Sequence, residues 1–296
     1  MKLADSEGRK NLIRAAVPRG LRNWLRSPSR SAIYLLDSAT FALGARKTLQ
    51  ICDDGWSMAC HPLAYRFAYE NQISDPEQNE ELRVFLSSCR KSMLLFDIGA
   101  HFGVFSLAAA HLGGNAVAVD PSPAATRIIA AQVALNGFEE EIRVLRAAAS
   151  DRDGTIELLG SGAFSYGYFQ VVKGRSKRDL TEARCVTIDR LTREFGEPTH
   201  IKIDVEGHEA EVLVGARTTL RRCSPVVFLE LHNDMIRSGG GDSNHVLDEL
   251  VGAGFKLYTL GGVGIERSCL IAWPLVRFIA RRASASSPTN PLIGDI

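Results

Sequence analysis

The sequence FDIGAHFGVFSLAAA, at residues 96–110, joins a short apolar strand to an apolar helix through a turn that contains two glycines. Gly99 and Gly103 allow a tight bend and let a ligand approach the backbone at the start of the helix. Their spacing is GxxxG, which differs from the GxGxxG of dinucleotide-binding enzymes and the GxxxxGK[ST] of P-loop proteins. Asp97 lies just before the turn, and its carboxylate would repel a diphosphate. The turn therefore favours a ligand that carries positive charge.

Short apolar runs alternate with helical segments along the rest of the chain. The predicted strands are 93–98, 115–120, 141–147, 200–205 and 225–231, and the predicted helices between them include 103–112, 122–136 and 208–221. Strands that are apolar throughout are buried on both faces, as in a parallel sheet between helices. We predict an α/β fold with a doubly wound, mostly parallel sheet, helices on both faces and a helical N-terminal extension. Residues 151–187 interrupt the alternation and indicate an antiparallel excursion, which we consider a candidate substrate wall.

The composition is that of an ordinary globular protein, but the charge is distributed unevenly along the chain. The 296 residues include 45% hydrophobic side chains, and the formal net charge of +1 excludes a strong nucleic-acid footprint. Residues 1–30 carry eight Lys or Arg against two acidic side chains, whereas residues 31–274 carry 24 basic and 31 acidic side chains. We predict a basic helical extension and cap over 1–90, an α/β domain over 91–275 and a disordered tail over 276–296.

The expected location is cytoplasmic. Six cysteines without a CxxC pair predict free thiols in a reducing compartment, and the N-terminus has no secretory signal pattern. An alternative is a peripheral position at the inner face of a membrane, because the basic N-terminus and residues 271–282 could lie on anionic lipid.

A second acid points to the type of ligand. Asp120 ends the second strand, 17 residues after Gly103. A carboxylate at that position can accept both hydroxyls of a ribose, as it does for NAD in Rossmann folds. Combined with the preference of Asp97 for positive charge, this pattern indicates S-adenosylmethionine, which carries an ammonium group, a sulfonium and a ribose.

Further motifs follow in a specific order and spacing. They are FDIGAHFG (96–103), VDPSP (119–123), ALNG (134–137), ASDRDG (149–154), VTIDRL (186–191), IKIDVEGHEAEVLVGA (201–216) and LELH (229–232). Together they resemble the FkbM family of S-adenosylmethionine-dependent methyltransferases over roughly residues 93–260. His101 stands where the family usually has Asn, and Asn233 stands where Pro often follows the last motif. Neither departure changes the glycines or the acids.

The resemblance implies a Rossmann-like class I methyltransferase fold with S-adenosylmethionine over the carboxyl ends of the strands. It also implies methyl transfer, usually to oxygen, with hydroxyls of sugars, polyketides and other natural products among the known acceptors. Family membership does not choose among them. The expected cofactor-binding residues are Asp97, Gly99, Ala100, His101, Gly103, Asp120, Pro121, Ser150, Asp151 and Asp204.

Polar side chains that end the fourth and fifth strands are the candidates for catalysis. We predict His208 as the general base, with Asp204, Glu206 and Glu230 beside the cofactor and the acceptor. Two alternatives stay open, namely a charged helix start for the fourth-strand cluster and a paired strand-end carboxylate for Glu230.

A divalent cation is a further alternative at these strand ends. Asp204 and Glu230, with His232 and Asn233 nearby, could hold one, but they do not reproduce the ligand pattern of magnesium-dependent catechol-type methyltransferases. We therefore expect no metal.

The sequence leaves competing functions. The expected partner is a small-molecule or glycan acceptor, on a membrane-bound carrier in one variant, and not a nucleic acid. A cofactor-binding accessory protein without catalysis is one alternative, and an NAD-dependent oxidoreductase is disfavoured because GxGxxG is missing.

Overall fold

The computed structural model describes most of the chain. The described residues are 30–51, 56–67, 75–159, 170–171 and 180–282. Residues 1–29 of the predicted basic helical extension (1–90) and residues 283–296 of the predicted disordered tail (276–296) lie outside them.

The described part of the chain contains eleven helices and thirteen strands. In chain order they are α1 (Arg30–Ala42), β1 (Lys47–Gln50), β2 (Ser57–Cys60), α2 (Pro62–Phe67), α3 (Pro76–Ser88), β3 (Leu94–Ile98), α4 (Val104–His111), β4 (Asn115–Asp120), α5 (Pro123–Asn136), β5 (Ile142–Arg146), β6 (Ala148–Ala149), β7 (Gly154–Leu159), β8 (Gln170–Val171), β9 (Leu180–Val186), α6 (Ile188–Phe195), β10 (His200–Ile203), α7 (Glu209–Val214), α8 (Arg217–Cys223), β11 (Val226–Leu231), α9 (Asn233–Ser238), α10 (Asn244–Gly252), β12 (Lys256–Tyr258), α11 (Arg267–Ala272) and β13 (Val276–Arg281).

The centre of the fold is a sheet that has seven strands in the described part of the chain, in the order β12-β13-β11-β10-β3-β4-β5. The five strands from β11 to β5 are parallel, and β13 runs antiparallel to both of its neighbours. The predicted doubly wound, mostly parallel sheet is confirmed. The predicted domain boundary at residue 275 falls before β13, so the sheet extends six residues beyond it.

Both faces of the sheet are covered by helices. On one face, Phe96 and Leu229 belong to a buried cluster that includes residues of α7 and α10. On the other face, Leu95 and Phe228 pack in a cluster with Phe85 of α3 and residues of α4. Burial on both sides explains why these strands are apolar without alternation.

The strand order reverses between β3 and β10. The chain leaves β3 toward β4 on one side, and it later returns to β10 on the other side. In open α/β sheets, the loops diverge at such a reversal and leave a crevice at the carboxyl ends of the strands, where ligands bind.

A second sheet lies beside the main one. It has the order β6-β9-β7-β8 in the described residues, and β7 pairs antiparallel with both β8 and β9. The predicted antiparallel excursion is therefore present. That residues 151–187 form a substrate wall stays a prediction, and residues 160–169 and 172–179 of this segment lie outside the described residues.

The prediction of one continuous helix over 208–221 is wrong. Two short helices, α7 and α8, occupy this region. The backbone N–H of Gly215 still bonds the carbonyl of Glu211, four residues earlier, but that of Ala216 bonds the carbonyl of Leu213, three residues earlier, so the regular α-helical pattern ends here. A Cβ atom on Gly215 would lie 2.0 Å from the backbone oxygen of Ser150, so only glycine fits at this position. The carboxylate of Asp189 accepts hydrogen bonds from the backbone N–H groups of Thr218 and Thr219, which starts the second helix separately.

The segment 271–282 is not a free lipid-binding surface. Strand β13 lies between β11 and β12, and Phe278 and Ala280 are buried. Among the described residues, no helix is both long enough and apolar enough to cross a bilayer.

Candidate active site

The glycine turn after β3 packs directly on the loop after β10. Gly99 has a φ of +79°, and a Cβ atom there would lie 1.8 Å from the backbone oxygen of Asp204. Only glycine fits this approach. The turn continues through His101, also at positive φ, and Gly103, whose φ is +75° at the start of α4. The two loops predicted to bind cofactor and acceptor are therefore in contact.

Asp120 at the end of β4 is held by the two loops beside it. Its Oδ2 accepts the backbone N–H of His101 at 2.9 Å, and its Oδ1 accepts that of Ser122 at 2.8 Å. A carboxylate has about four acceptor sites, so two remain for a pair of hydroxyls. Burial raises the pKa of Asp120 to about 7, and the negative charges of Asp97 and Asp204 add to the rise.

Asp97 is buried beneath the glycine turn. Its Oδ2 accepts hydrogen bonds from the Oγ of Ser106 at 2.6 Å and from the backbone N–H of the same residue at 3.2 Å, which joins β3 to α4. Burial raises the pKa of Asp97 to about 6, against hydrogen bonds from Ser106 and the charge of Lys202 that lower it.

Asp97, Asp120 and Asp204 crowd the carboxyl ends of three adjacent strands. The charge of Asp204 raises the pKa of both other carboxyls, so the three groups repel one another. A ligand that is cationic and carries a ribose relieves this repulsion and uses the free acceptor sites of Asp120. These negatively charged hydrogen-bond acceptors fit S-adenosylmethionine.

The other predicted cofactor residues divide into two places. Ala100 is buried in the glycine turn, where its backbone N–H bonds the carbonyl of Val119, the strand residue before Asp120 and Pro121. Ser150 and Asp151 follow β6, and the Oγ of Ser150 contacts Nε2 of His208 at 3.0 Å. The structure thus brings the β3 and β4 loops together and places Ser150 beside α7.

The loop between β10 and α7 is a tight reversal. Glu206 has a φ of +54°, which is strained for a residue with a side chain, and Gly207 follows at +95°. The Oε2 atom of Glu206 is buried. Burial raises the pKa of Glu206 to about 7, with the charge of His232 opposing the rise and that of Asp204 adding to it.

His232, at the end of β11, lies among carboxylates from three elements. Its Nδ1 is 2.8 Å from Oε1 of Glu209, the first residue of α7. Its Nε2 faces three further acids, with 3.4 Å to Oε2 of Glu206, 3.7 Å to Oδ1 of Asp204 and 3.8 Å to Oε1 of Glu230. Burial lowers the pKa of His232, but the hydrogen bond with Glu209 and the surrounding negative charges outweigh it and raise the pKa to about 9.

Glu230 is part of a buried ion-pair network. Its carboxylate receives two hydrogen bonds from the guanidinium of Arg277, at 2.6 and 3.2 Å. Lys202 lies 3.8 Å from Glu230 and 3.1 Å from Glu81 of α3. Glu230 therefore borders the cleft but is already paired, which agrees with the alternative of a satisfied strand-end carboxylate.

His208 is buried on another side of the same loop. Its Nε2 contacts Ser150, and its Nδ1 lies 3.3 Å from Oε2 of Glu211. The histidine that faces Asp204 and Glu206 is His232. From the sequence, His232 was named only beside a possible cation site. Glu209 was missed, because its position at a helix start is equally typical of a solvated acid.

Asp204, Glu230 and His232 offer ligand atoms that all lie within 4.8 Å of one another. Arg277 and Lys202 already pair with Glu230 there, so positive charge is supplied by the chain itself. We assign no metal to this cluster.

Comparisons with known proteins point to one family. A sequence model described as the methyltransferase FkbM domain matches residues 97–257 of this chain. A search of curated proteins found no match.

Several solved structures are similar in fold. The methyltransferase FkbM from Methylobacillus flagellatus KT is 14% identical, with a TM-score of 0.43 over 74% of this chain and 58% of that chain. The precorrin-6y C5,15-methyltransferase from Geobacter metallireducens GS-15 is 13% identical, with a TM-score of 0.42 over 73% and 92%. A TehB-like SAM-dependent methyltransferase from Corynebacterium glutamicum is 10% identical, with a TM-score of 0.42 over 75% and 98%.

Proposed function

The chain belongs to the FkbM methyltransferase family, whose cofactor is S-adenosylmethionine, and on that premise we propose that it methylates a hydroxyl oxygen of a sugar, a glycan or a natural-product metabolite. The observation that carries the proposal is the set of carboxylates at the carboxyl ends of β3, β4 and β10, where the strand order reverses. Asp97 and Asp120 are buried there, and Asp204 is partly exposed.

Each acid has a separate task in binding. Asp120 would accept hydrogen bonds from the ribose hydroxyls, and Asp97 and Asp204 would stabilise the positive charge of the cofactor. The glycines at 99 and 103 let the backbone approach the ligand. When bound, S-adenosylmethionine supplies an electrophilic methyl group on its sulfonium sulfur.

The residues after β10 and β11 would hold the acceptor. Methyl transfer depends mainly on position, because an acceptor oxygen held about 3 Å from the methyl carbon with water excluded gains several kcal/mol from proximity. Asp204 and Glu206 can accept hydrogen bonds from hydroxyls and orient them, with Glu230 at the border. His208 is the base proposed from the sequence, although Ser150 and Glu211 occupy its two ring nitrogens.

The charge of the cleft favours a neutral, hydroxylated acceptor. Asp204, Glu206, Glu209 and Glu230 surround His232, and the buried cations Lys202 and Arg277 pair with Glu230. A polyphosphate chain would be repelled by these carboxylates, which argues against a nucleic-acid substrate.

A labelling experiment tests the proposal. The protein is incubated with methyl-labelled S-adenosylmethionine and an extract of its own organism, and labelled products are identified by mass spectrometry. We expect a labelled metabolite whose label is on oxygen. A label on nitrogen would contradict O-methylation. Cofactor binding without any labelled product would favour the accessory-protein alternative, and quenching of NADH fluorescence on titration would favour the oxidoreductase.

Peripheral membrane contact through the basic residues 1–30 is a separate proposal that rests on the sequence alone. Co-sedimentation of the full-length protein with anionic vesicles at low salt supports it. Failure to co-sediment removes it and leaves the cytoplasmic location.

A further inference from the structure

His232 lies beside Asp204 and Glu206, the residues proposed to hold the acceptor. Acids from the loop after β10, from α7 and from β11 surround its ring. We propose that His232 is the general base of the methyl transfer and that Glu209 is the positioning residue that orients it. This inference rests on the proposed function, because it assigns the proton acceptor of that same reaction. It replaces the sequence-based choice of His208.

The contact with Glu209 determines which nitrogen of His232 is basic. The side chain of Glu209 is completely buried, and its Oε1 also accepts the backbone N–H of Gly207 at 3.1 Å, so the carboxylate has a defined position. A carboxylate at 2.8 Å from Nδ1 holds the proton on that nitrogen. When the ring is neutral, its lone pair is then on Nε2, the nitrogen beside Glu206, Asp204 and Glu230.

The groups around Nε2 of His232 would allow this nitrogen to accept a proton from the hydroxyl of the acceptor. The carboxylate oxygens of Glu206, Asp204 and Glu230 lie 3.4 to 3.8 Å from it and leave the nitrogen without a short hydrogen bond to any of them. Glu206 reaches this position through its left-handed backbone conformation. Strain of this kind persists where the surrounding structure requires it, often at functional sites.

The ring of His208 is engaged in a different way. Its Nε2 contacts the hydroxyl of Ser150, and its Nδ1 pairs with Glu211. These contacts join α7 to the end of β6. His208 therefore stabilises the loop, and His232 is the ring with a nitrogen directed at the acids of the cleft.

The proton and electron balance is complete without another reactant. The acceptor oxygen forms a bond to the methyl carbon while the bond from sulfur to that carbon breaks, and its electron pair stays on sulfur. The hydroxyl proton moves to Nε2 of His232. The imidazolium then releases this proton to water and the neutral ring is restored.

The same acids set the pH at which the base works. Asp204 and Glu206 face His232 from the loop after β10, Glu209 from α7, and Glu230 from β11, where Arg277 and Lys202 offset the charge of Glu230. Negative charge keeps the ring protonated near neutrality, so the rate should rise with pH as the ring loses its proton.

The first test measures the ring directly and needs no acceptor. Imidazole resonances of labelled wild-type protein and of the Glu209→Gln variant are titrated by NMR, and His232 is assigned with His232→Gln. We expect the His232 ring to titrate well above the usual range for histidine and to shift at least about one pH unit lower in Glu209→Gln, since a charge is removed. An unchanged midpoint would overturn the role of Glu209.

The second test follows transfer of labelled methyl groups to an extract fraction across pH. We expect His232→Gln to reduce kcat by about 10²- to 10⁴-fold and to abolish the rise with pH, and Glu209→Gln to move that rise to lower pH. His245→Gln, at an exposed position on α10, should match wild type. S-adenosylhomocysteine binding and circular dichroism show that each variant is folded, and if His232→Gln is not folded, the direction of the Glu209→Gln shift decides.

The two proposals fail in different ways. If wild type transfers no label, the proposed function fails and the NMR titration alone decides the role of Glu209. If wild type transfers label while His232→Gln keeps the rise with pH and His208→Gln loses it, the inference about His232 is wrong and the methyltransferase stands.

Discussion

Gly99 is a proposed cofactor-binding residue that also packs against the loop after β10. It combines a left-handed backbone with a contact too close for any Cβ atom, on the carbonyl of Asp204. Gly137 has a similar φ of +71° but no atom within 4 Å of an added Cβ. Substitution of Gly137 therefore measures the loss of stability from the backbone conformation alone, and substitution of Gly99 adds the loss from the contact with Asp204.

We predict that Gly99→Ala lowers the free energy of unfolding by about 2–5 kcal/mol and abolishes cofactor binding, because the loops after β3 and β10 must separate. Gly137→Ala should cost about 1 kcal/mol, from its backbone conformation alone, and leave binding intact. Urea unfolding and calorimetry with S-adenosylhomocysteine measure both effects. Equal losses in the two variants would show that the contact with Asp204 has no role.

At this scale the sequence predicted the acids and glycines but not their partners. Asp97, Gly99 and Asp120 could be chosen because strand ends and turns are local patterns. The pairing of His232 with Glu209 joins residues 23 positions apart, and it depends on how α7 packs against the end of β11. Nothing local in the sequence distinguishes His232 from His208.

Among the elements, helix α3 contacts the main sheet through ion pairs as well as through apolar packing. Glu81 is buried and lies 3.1 Å from Lys202 of β10 and 3.7 Å from Arg277 of β13. Glu77, one turn earlier on α3, reaches Arg277 at 3.2 Å, but its side chain is 71% exposed. The two acids on one helix share a partner and differ in burial.

We predict that Glu81→Gln lowers the free energy of unfolding by about 3–5 kcal/mol, because it removes the nearest carboxylate from the buried ammonium of Lys202 and leaves only the more distant Glu230. Glu77→Gln should cost less than about 1 kcal/mol, since water screens its ion pair. Chemical denaturation of both variants provides the comparison. Similar values would mean that α3 is attached by apolar packing and not by the ion pairs.

The sequence predicted the strands of the main sheet well and one helical region poorly. An apolar run buried on both faces is visible without knowledge of its neighbours. The break between α7 and α8 lies where Gly215 packs against Ser150, some 65 positions earlier, and where Asp189 caps the start of α8. Both contacts join residues that are distant in the sequence. Strand β13 was missed because its arginines resemble the start of a polar tail.

At the scale of the whole molecule, several buried groups hold protons that the unfolded chain releases. The pKa of His232 is raised to about 9 by its acidic neighbours, and burial raises those of Asp120 and Glu206 to about 7. The unfolded chain therefore binds fewer protons above about pH 6.5, so stability falls as pH rises.

We predict that the free energy of unfolding of the cofactor-free protein decreases between pH 6.5 and pH 9. His232→Gln should show a smaller decrease, because the largest contribution in this window is removed. Denaturation at the two pH values measures the difference. A stability that is constant or rises over this range would contradict the protonation states inferred for the cleft.

We expect the buried acids Asp97 and Asp120 at the strand ends to hold S-adenosylmethionine. Isothermal titration calorimetry of S-adenosylhomocysteine with wild type and with Asp120→Asn measures their contribution. We predict that wild type binds with a Kd below about 1 mM and that Asp120→Asn weakens binding at least about tenfold, because a charged acceptor for the ribose is lost. Equal affinity in a folded Asp120→Asn variant, or no binding to wild type, would contradict the proposed role of these acids in cofactor binding.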